Sequence, residues 1–287
     1  AAAAAAAPKA EPQETVEEAV ARLRHELGDP QWVVCILGGR DFACKQTEPV
    51  LKAVAKHLPP ALKGKAVFVT GGMPGVHKIF VENCPDSTQI FNLLHRGGKS
   101  DFGTCEDGFH AEDVHAGTDL KERMSIFAQL GDIYLAFEGG PGVSQEATAA
   151  FKRGAKVLAL PRSGGASSGK FDFPKEAFDR PSVATEKQWE ALSSPRFSPD
   201  ETASALASVV KRWVLPEEEA AHRLRSELGQ EDACIVCILG GQKFQGDDSE
   251  ALVKAIASKL GAAAGSKAKF VTGGMAGVQE TFAKQCG

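Results

Sequence analysis

Residues 132–146 read Asp132-Ile133-Tyr134-Leu135-Ala136-Phe137-Glu138-Gly139-Gly140-Pro141-Gly142-Val143-Ser144-Gln145-Glu146. The apolar run Ile133 to Phe137 is a short buried strand, the glycines form a tight turn, and Ser144 to Arg153 has helical spacing. A strand feeding a helix through a glycine turn is the unit from which parallel sheets are built. The same alternation extends both ways along the chain. Upstream, Trp32 to Leu37 predicts a strand, Thr47 to Leu58 a helix, Ala66 to Val69 a strand, Val76 to Asn83 a helix and Gln89 to Leu94 a strand. A polar loop is expected from Gly97 to Gly117, then a helix capped by Asp119, with Glu122 completing a capping box, that runs to Leu130. Downstream, Lys156 to Leu160 reads as a strand and Pro199 to Val214 as a final helix. Short apolar strands alternating with helices imply an α/β fold, a Rossmann-like doubly wound parallel sheet covered on both faces.

The pattern repeats. Cys35-Ile36-Leu37-Gly38-Gly39 recurs as Cys237-Ile238-Leu239-Gly240-Gly241, and Val69-Thr70-Gly71-Gly72-Met73-Pro74-Gly75-Val76 recurs as Val271-Thr272-Gly273-Gly274-Met275-Ala276-Gly277-Val278, both 202 positions later. Self-similarity at a fixed offset marks a duplicated structural unit. The expected organisation is a low-complexity tail over 1–13, one complete unit over 14–215, and the opening third of a second unit over 216–287. The second copy has too little apolar surface to close a sheet of its own. Counterparts of Arg123 and Glu146 would fall beyond residue 287. The alanine run at 1–7, the missing initiating Met and the abrupt end suggest a piece of a longer reading frame.

Composition narrows the function. With 287 residues, 43% hydrophobic and 24% charged, the chain is globular, and its net charge of −4 supplies no global attraction to nucleic acid or to an anionic membrane. Apolar runs end after five to seven residues, against the roughly 20 needed to span a bilayer. Seven cysteines, an odd number, with two of them inside strand-like runs, favour free thiols and a reducing, cytoplasmic setting.

In a doubly wound sheet the loops leaving the strands' C-terminal ends share one edge, where helix N-termini also point free N–H groups. Three glycine turns fall there: Gly38-Gly39, Gly71-Gly72 with Gly75, and Gly139-Gly140 with Gly142. Glycine lets backbone amides approach a phosphate closely. Glu146, in the first turn of the following helix, and Arg123, one turn after the Asp119 cap, should lie on the same rim. Arg123 and the helix N-terminus are expected to lower the Glu146 pKa and make it a base, nucleophile or cation stabiliser rather than a proton donor.

Arg123, the strand Asp132 to Phe137 and Glu138-Gly139-Gly140-Pro141-Gly142-Val143-Ser144-Gln145-Glu146 together resemble the Arg…Asp-strand-Pro-Gly-Gly-x-Gly-Thr-x-x-Glu signature of the Lonely Guy family. Those are cytokinin-activating phosphoribohydrolases, with molybdenum-cofactor carrier proteins as relatives. Gly71-Gly72-x-x-Gly75 is similar to the family's second glycine loop. The resemblance spans about Trp32 to Pro161 and, for the glycine loops alone, Ile235 to Val278. It implies Arg123 and Glu146 at the catalytic positions, the glycines with Ser144 as ligand or phosphate contacts, a nucleoside 5′-monophosphate as small-molecule substrate, and a possible homodimer. Three positions depart from the pattern: Glu138 replaces Pro, Val143 replaces Thr, and Met124 stands where the family has Lys. They make a non-catalytic nucleotide or molybdenum-cofactor carrier the competing reading.

Other signals are weaker. Gly164 to Lys170 has P-loop spacing, but Phe171 replaces the Ser or Thr a P-loop needs, leaving a mobile loop over the ligand edge as the better reading. His110-Ala111-Glu112-Asp113-Val114-His115 gathers metal-ligating types without helical register or a completing ligand, and the pair Cys234 and Cys237 lacks a second pair to form a zinc set. Neither a metal nor a cofactor is assigned. His77 and His95 have no partner visible in the sequence.

Overall fold

The computed structural model describes residues 14–103, 110–216, 234–246 and 248–286. The chain divides into two compact units, 1–215 and 216–287. In the first, α1 (Val16–Glu26), β1 (Trp32–Gly38), α2 (Thr47–Ala61), β2 (Ala66–Thr70), α3 (Val76–Asn83), β3 (Ile90–Leu94), β4 (Ala111–His115), α4 (Leu120–Leu130), β5 (Ile133–Phe137), α5 (Pro141–Lys152), β6 (Lys156–Ala159), α6 (Glu186–Ser193) and α7 (Pro199–Val214) follow one another. Six strands in the order β4-β3-β2-β1-β5-β6, with every neighbouring pair parallel, form one sheet. This is the Rossmann-like architecture, with its switch point between β1 and β5, where ligands bind in open sheets of this kind.

Alternation along each strand sends side chains to opposite faces, and because both faces are covered the central strands β1 and β5 are predominantly apolar. In β1, Val34 and Ile36 join a core with Val54 and Leu58 of α2, Phe80 of α3 and Leu206 and Val210 of α7. Val33, Cys35 and Leu37 join the opposite core with Leu23 of α1, Ile126, Phe127 and Leu130 of α4, and Ala147 and Ala150 of α5. Helix starts are set locally. Thr15 and Glu18 form a capping box at α1, Thr185 and Gln188 at α6, and Ser198 and Glu201 at α7. At α4 the Asp119 side chain accepts from Glu122 N at 2.8 Å, while the Glu122 carboxylate turns to Thr118 instead of closing the box. α5 begins at Pro141, three residues before the expected start at Ser144, because proline at the first helical position has its φ already set.

The expected loop from Gly97 to Gly117 contains a sixth strand. β4 pairs with β3 from Ile90↔Ala111 to Leu94↔His115. It is the sheet's edge, and its charged residues lie partly in solvent, so the strand carries no continuous apolar run.

In the second unit, β7 (Cys234–Ile238), α8 (Ser249–Ala264), β8 (Ala268–Thr272) and α9 (Val278–Gln285) make a two-stranded parallel sheet with two helices. No residue of β7 or β8 is buried, whereas all five of β2 are. Leu252, Ile256 and Leu260 of α8 are exposed. Their counterparts 202 positions earlier, Val50, Val54 and Leu58, are buried on α2, which packs against α7. Among the described residues of this unit nothing corresponds to α7. No described helix is long and apolar enough to cross a membrane.

Candidate functional site

The three glycine turns follow β1, β2 and β5 on one edge and pack on each other. Gly75 has φ +74°, a conformation that favours glycine, and a Cβ there would overlap the Arg40 and Gly39 backbone. Val76 N donates to Gly39 O at 3.0 Å, and a Cβ on Gly39 would lie 3.5 Å from Gly139 N. Gly38, Gly71, Gly72 and Gly139 are likewise closed in by side chains, those of Val76, Arg123, Leu94 and Val143. Gly140 faces open space, and the nearest atom to a Cβ on Gly142 is Met124 Cε at 3.4 Å. Ser144 is buried in the first turn of α5, its N–H bonded to Gly140 O at 3.2 Å.

α4 and α5 bring Arg123 and Glu146 into contact. Arg123 Nη1 lies 2.9 Å from Glu146 Oε1, and Arg123 Nε donates to Leu93 O at 2.8 Å. Its guanidinium carbon sits 4.7 Å from the centre of the Phe127 ring, a cation–π contact. Nη2 is buried without a hydrogen-bond partner, beside Gly71. Arg123 is 3% exposed and Glu146 8%. This depth reverses the expected titration. Desolvation, only partly opposed by Arg123, pushes the Glu146 carboxyl up to about 7 instead of lowering it.

Glu138, the residue in place of the family's proline, is drawn inward. Its carboxylate accepts from Cys44 N at 2.5 Å and Ala43 N at 3.3 Å, and its own N–H donates to Ser163 Oγ at 2.9 Å. The segment expected to form a mobile loop instead packs on this turn. Ala166 N donates to Gly139 O at 2.8 Å, Ser167 N to Glu138 O at 3.1 Å, and both residues are buried. Close backbone approach explains Gly165, where a Cβ would lie 2.5 Å from Gly139 O.

Two grooves flank α5. One, of about 490 Å³, runs between α4 and α5, with Glu146 in its wall beside Leu120, Lys121, Met124, Ser125 and Ala149. The other, of about 560 Å³, lies between α5 and Phe171-Asp172, with Ser144, Thr148 and Lys152 along it. Both fall in the size range of small-molecule sites. Met124 lines the first groove, and its Cε lies 3.4 Å from where a Cβ on Gly142 would stand, beside the start of α5.

Several residues that shape the edge have no signature in the sequence. Thr70 Oγ1 donates to Asn92 Oδ1 at 2.7 Å, and Asn92 Nδ2 to Asp113 Oδ1 at 2.9 Å, a polar chain across β2, β3 and β4 that is buried at Thr70 and Asn92. It reaches the second glycine turn through Gly72 N, which donates to Thr70 Oγ1 at 3.1 Å. His77 is buried under the same turn. The segment that suggested a metal divides its histidines: His110 Nε2 lies 3.0 Å from Asp86 Oδ1, and His115 Nε2 lies 2.9 Å from Gly98 O. Among the described residues no three His, Cys, Asp or Glu side chains converge as metal ligands.

No family model and no curated protein matches the sequence. Solved structures do align. The structural-genomics target TM1055 matches at 16% identity and a TM-score of 0.40, over 48% of this chain and 79% of that one. DNA processing protein A from Helicobacter pylori, described with its single-stranded DNA binding mode, matches at 16% identity and a TM-score of 0.43, over 63% and 82%. The Moco carrier protein from Chlamydomonas reinhardtii matches at 15% identity and a TM-score of 0.36, over 63% and 99%. At TM-scores below 0.5 these likenesses carry no argument about ligand or chemistry.

Proposed function

We propose that the chain is a nucleotide-directed N-glycoside hydrolase of the Lonely Guy type, acting at the groove between α4 and α5. The supporting observation is Glu146 in the wall of that groove, 2.9 Å from the buried Arg123 and next to the glycine turn that opens α5. The reaction adds water across the base–ribose bond of a nucleoside 5′-monophosphate to give free base and ribose 5-phosphate. Its transition state is oxocarbenium-like, and a carboxylate stabilises such a cation, as in glycoside hydrolysis. A carboxyl group titrating near 7 is present in both forms at neutral pH. The neutral form protonates the departing base; the ionised form stabilises the ribosyl cation and orients water. Leu120, Met124 and Ala149 offer apolar walls to a planar base, and Gly140, Gly142 and the α5 N-terminus offer amides to the phosphate.

The test is base release by the full chain from a panel of nucleoside 5′-monophosphates. Glu146→Gln should lower the rate by about 10²-fold or more, the range for loss of a general acid–base group. No release by the wild type on any member of the panel would refute hydrolysis.

One observation favours the second reading, a carrier that holds a nucleotide or a molybdopterin-like ligand without turnover. Two nitrogens of Arg123 are engaged by Leu93 O and Glu146, and the third, unpaired Nη2, is buried against Gly71, which leaves the guanidinium no exposed donor for a substrate. Saturable binding without release of base supports that reading.

A further inference from the structure

His77 lies in the first turn of α3, buried beneath the glycine turn that follows β2. Its Nδ1 faces two backbone donors, Gly71 N at 3.2 Å and Met73 N at 3.4 Å. An imidazole nitrogen that accepts carries no proton, so the ring is neutral with its hydrogen on Nε2. Nε2 lies near the Ile36 backbone without reaching hydrogen-bond geometry and is buried with no partner. The second copy repeats the arrangement with a different residue. Gln279 stands 202 positions after His77, is also buried, and its Oε1 accepts from Met275 N at 3.3 Å. Histidine and glutamine have in common here an acceptor aimed at the amide of the turn.

The turn is coupled to the Arg123–Glu146 pair. A Cβ on Gly71 would meet both Arg123 Nη2 and, at 2.9 Å, His77 Cε1, so the Gly71 backbone is held between imidazole and guanidinium. The charged groups facing His77 are Arg123 and, across it, Glu146. Burial and the Arg123 charge hold the imidazole down to about 3, in keeping with a permanently neutral acceptor.

We propose that His77 is a positioning residue: its neutral Nδ1 fixes the Gly71–Gly75 turn through two backbone amides, and the turn in turn seats Arg123 against Glu146. The inference holds whether the groove hydrolyses a ligand or only binds one, and its test requires no substrate.

In the full wild-type chain at pH 7, nitrogen NMR of the histidines should show His77 unprotonated at Nδ1 and protonated at Nε2. The Gly71 and Met73 amides should be protected from hydrogen exchange. His77→Gln, which reproduces the second copy, should keep Met73 protection and the Glu146 titration midpoint. His77→Met fills similar space with only a weak thioether acceptor in place of the imidazole nitrogen; it should cut Met73 protection by about tenfold or more, as for an amide left poorly paired, and displace the Glu146 midpoint. A proton on Nδ1, an imidazolium at pH 7, or loss of Met73 protection in His77→Gln would overturn the proposal. So would a His77→Met chain that keeps both the protection and the midpoint. If His77→Met does not fold, the tautomer and the glutamine rescue decide.

Discussion

Replacing Glu146 by Gln separates the two forces acting on that carboxyl group. Burial raises its pKa from 4.5 to about 7, and Arg123 opposes the rise. A carboxyl raised in the folded state keeps its proton there after the unfolded chain has lost it, so folding stability is full below pH 4.5 and declines as pH rises through 7. The displacement corresponds to about 3 kcal/mol, at about 1.4 kcal/mol per pH unit. Glutamine keeps the shape and the acceptor for Arg123 but does not titrate. Whatever fixed offset the substitution introduces, the stability of Glu146→Gln relative to wild type should therefore climb by about 3 kcal/mol between pH 4.5 and pH 8. Titration of His77 is common to both proteins and cancels. All three tryptophans, Trp32, Trp189 and Trp213, lie in the first unit, so urea unfolding followed by tryptophan fluorescence reports that unit alone. At an m-value of about 2 kcal/mol/M, the midpoint difference should grow by about 1.5 M across the window. A flat difference would mean that burial and Arg123 cancel. A difference that falls with pH would mean that Arg123 dominates and that the carboxyl lies below 4.5. Either result refutes the reasoning.

Two further substitutions test the packing around the site. Gly38→Ala would place a methyl group inside the Val76 side chain, and the second copy shows the same crowding of Gly240 by Val278; overpacking of about 1–3 kcal/mol is expected, read as a lower urea midpoint. Tyr134→Phe removes a hydroxyl that accepts from Gly131 N at 2.8 Å and donates to Phe127 O at 2.6 Å, and two buried backbone groups lose their partner. A loss of about 1–3 kcal/mol is expected from calorimetry, and an unchanged melting temperature would contradict the role given to that hydroxyl.

The strands β1, β2, β3, β5 and β6 and the helices α2, α3, α4, α5 and α7 are legible because each is an apolar run or a helical stripe closed by a glycine, proline or capping residue. β4 is not. As a half-exposed edge strand, Ala111-Glu112-Asp113-Val114-His115 has only two apolar residues, and what ties it down is Asp113 bonding to Asn92 on β3. α1 and α6 do carry a signal, the capping boxes Thr15 with Glu18 and Thr185 with Gln188. Glu138 shows the limit of reading by position. Its charge is legible at the turn, but the two amides that take it up belong to Ala43 and Cys44, more than 90 residues earlier.

The amino-acid order by itself determined the doubly wound sheet, the duplication, and the placing of Arg123 and Glu146 toward one edge, because periodicity and turn chemistry act between neighbours along the chain. Tertiary structure alone decided how deep that pair lies and hence which way the carboxyl titrates. Water is excluded there jointly by Leu93, Phe127, Gly71 and the walls of α4 and α5, and the resulting desolvation is a sum over segments remote in sequence.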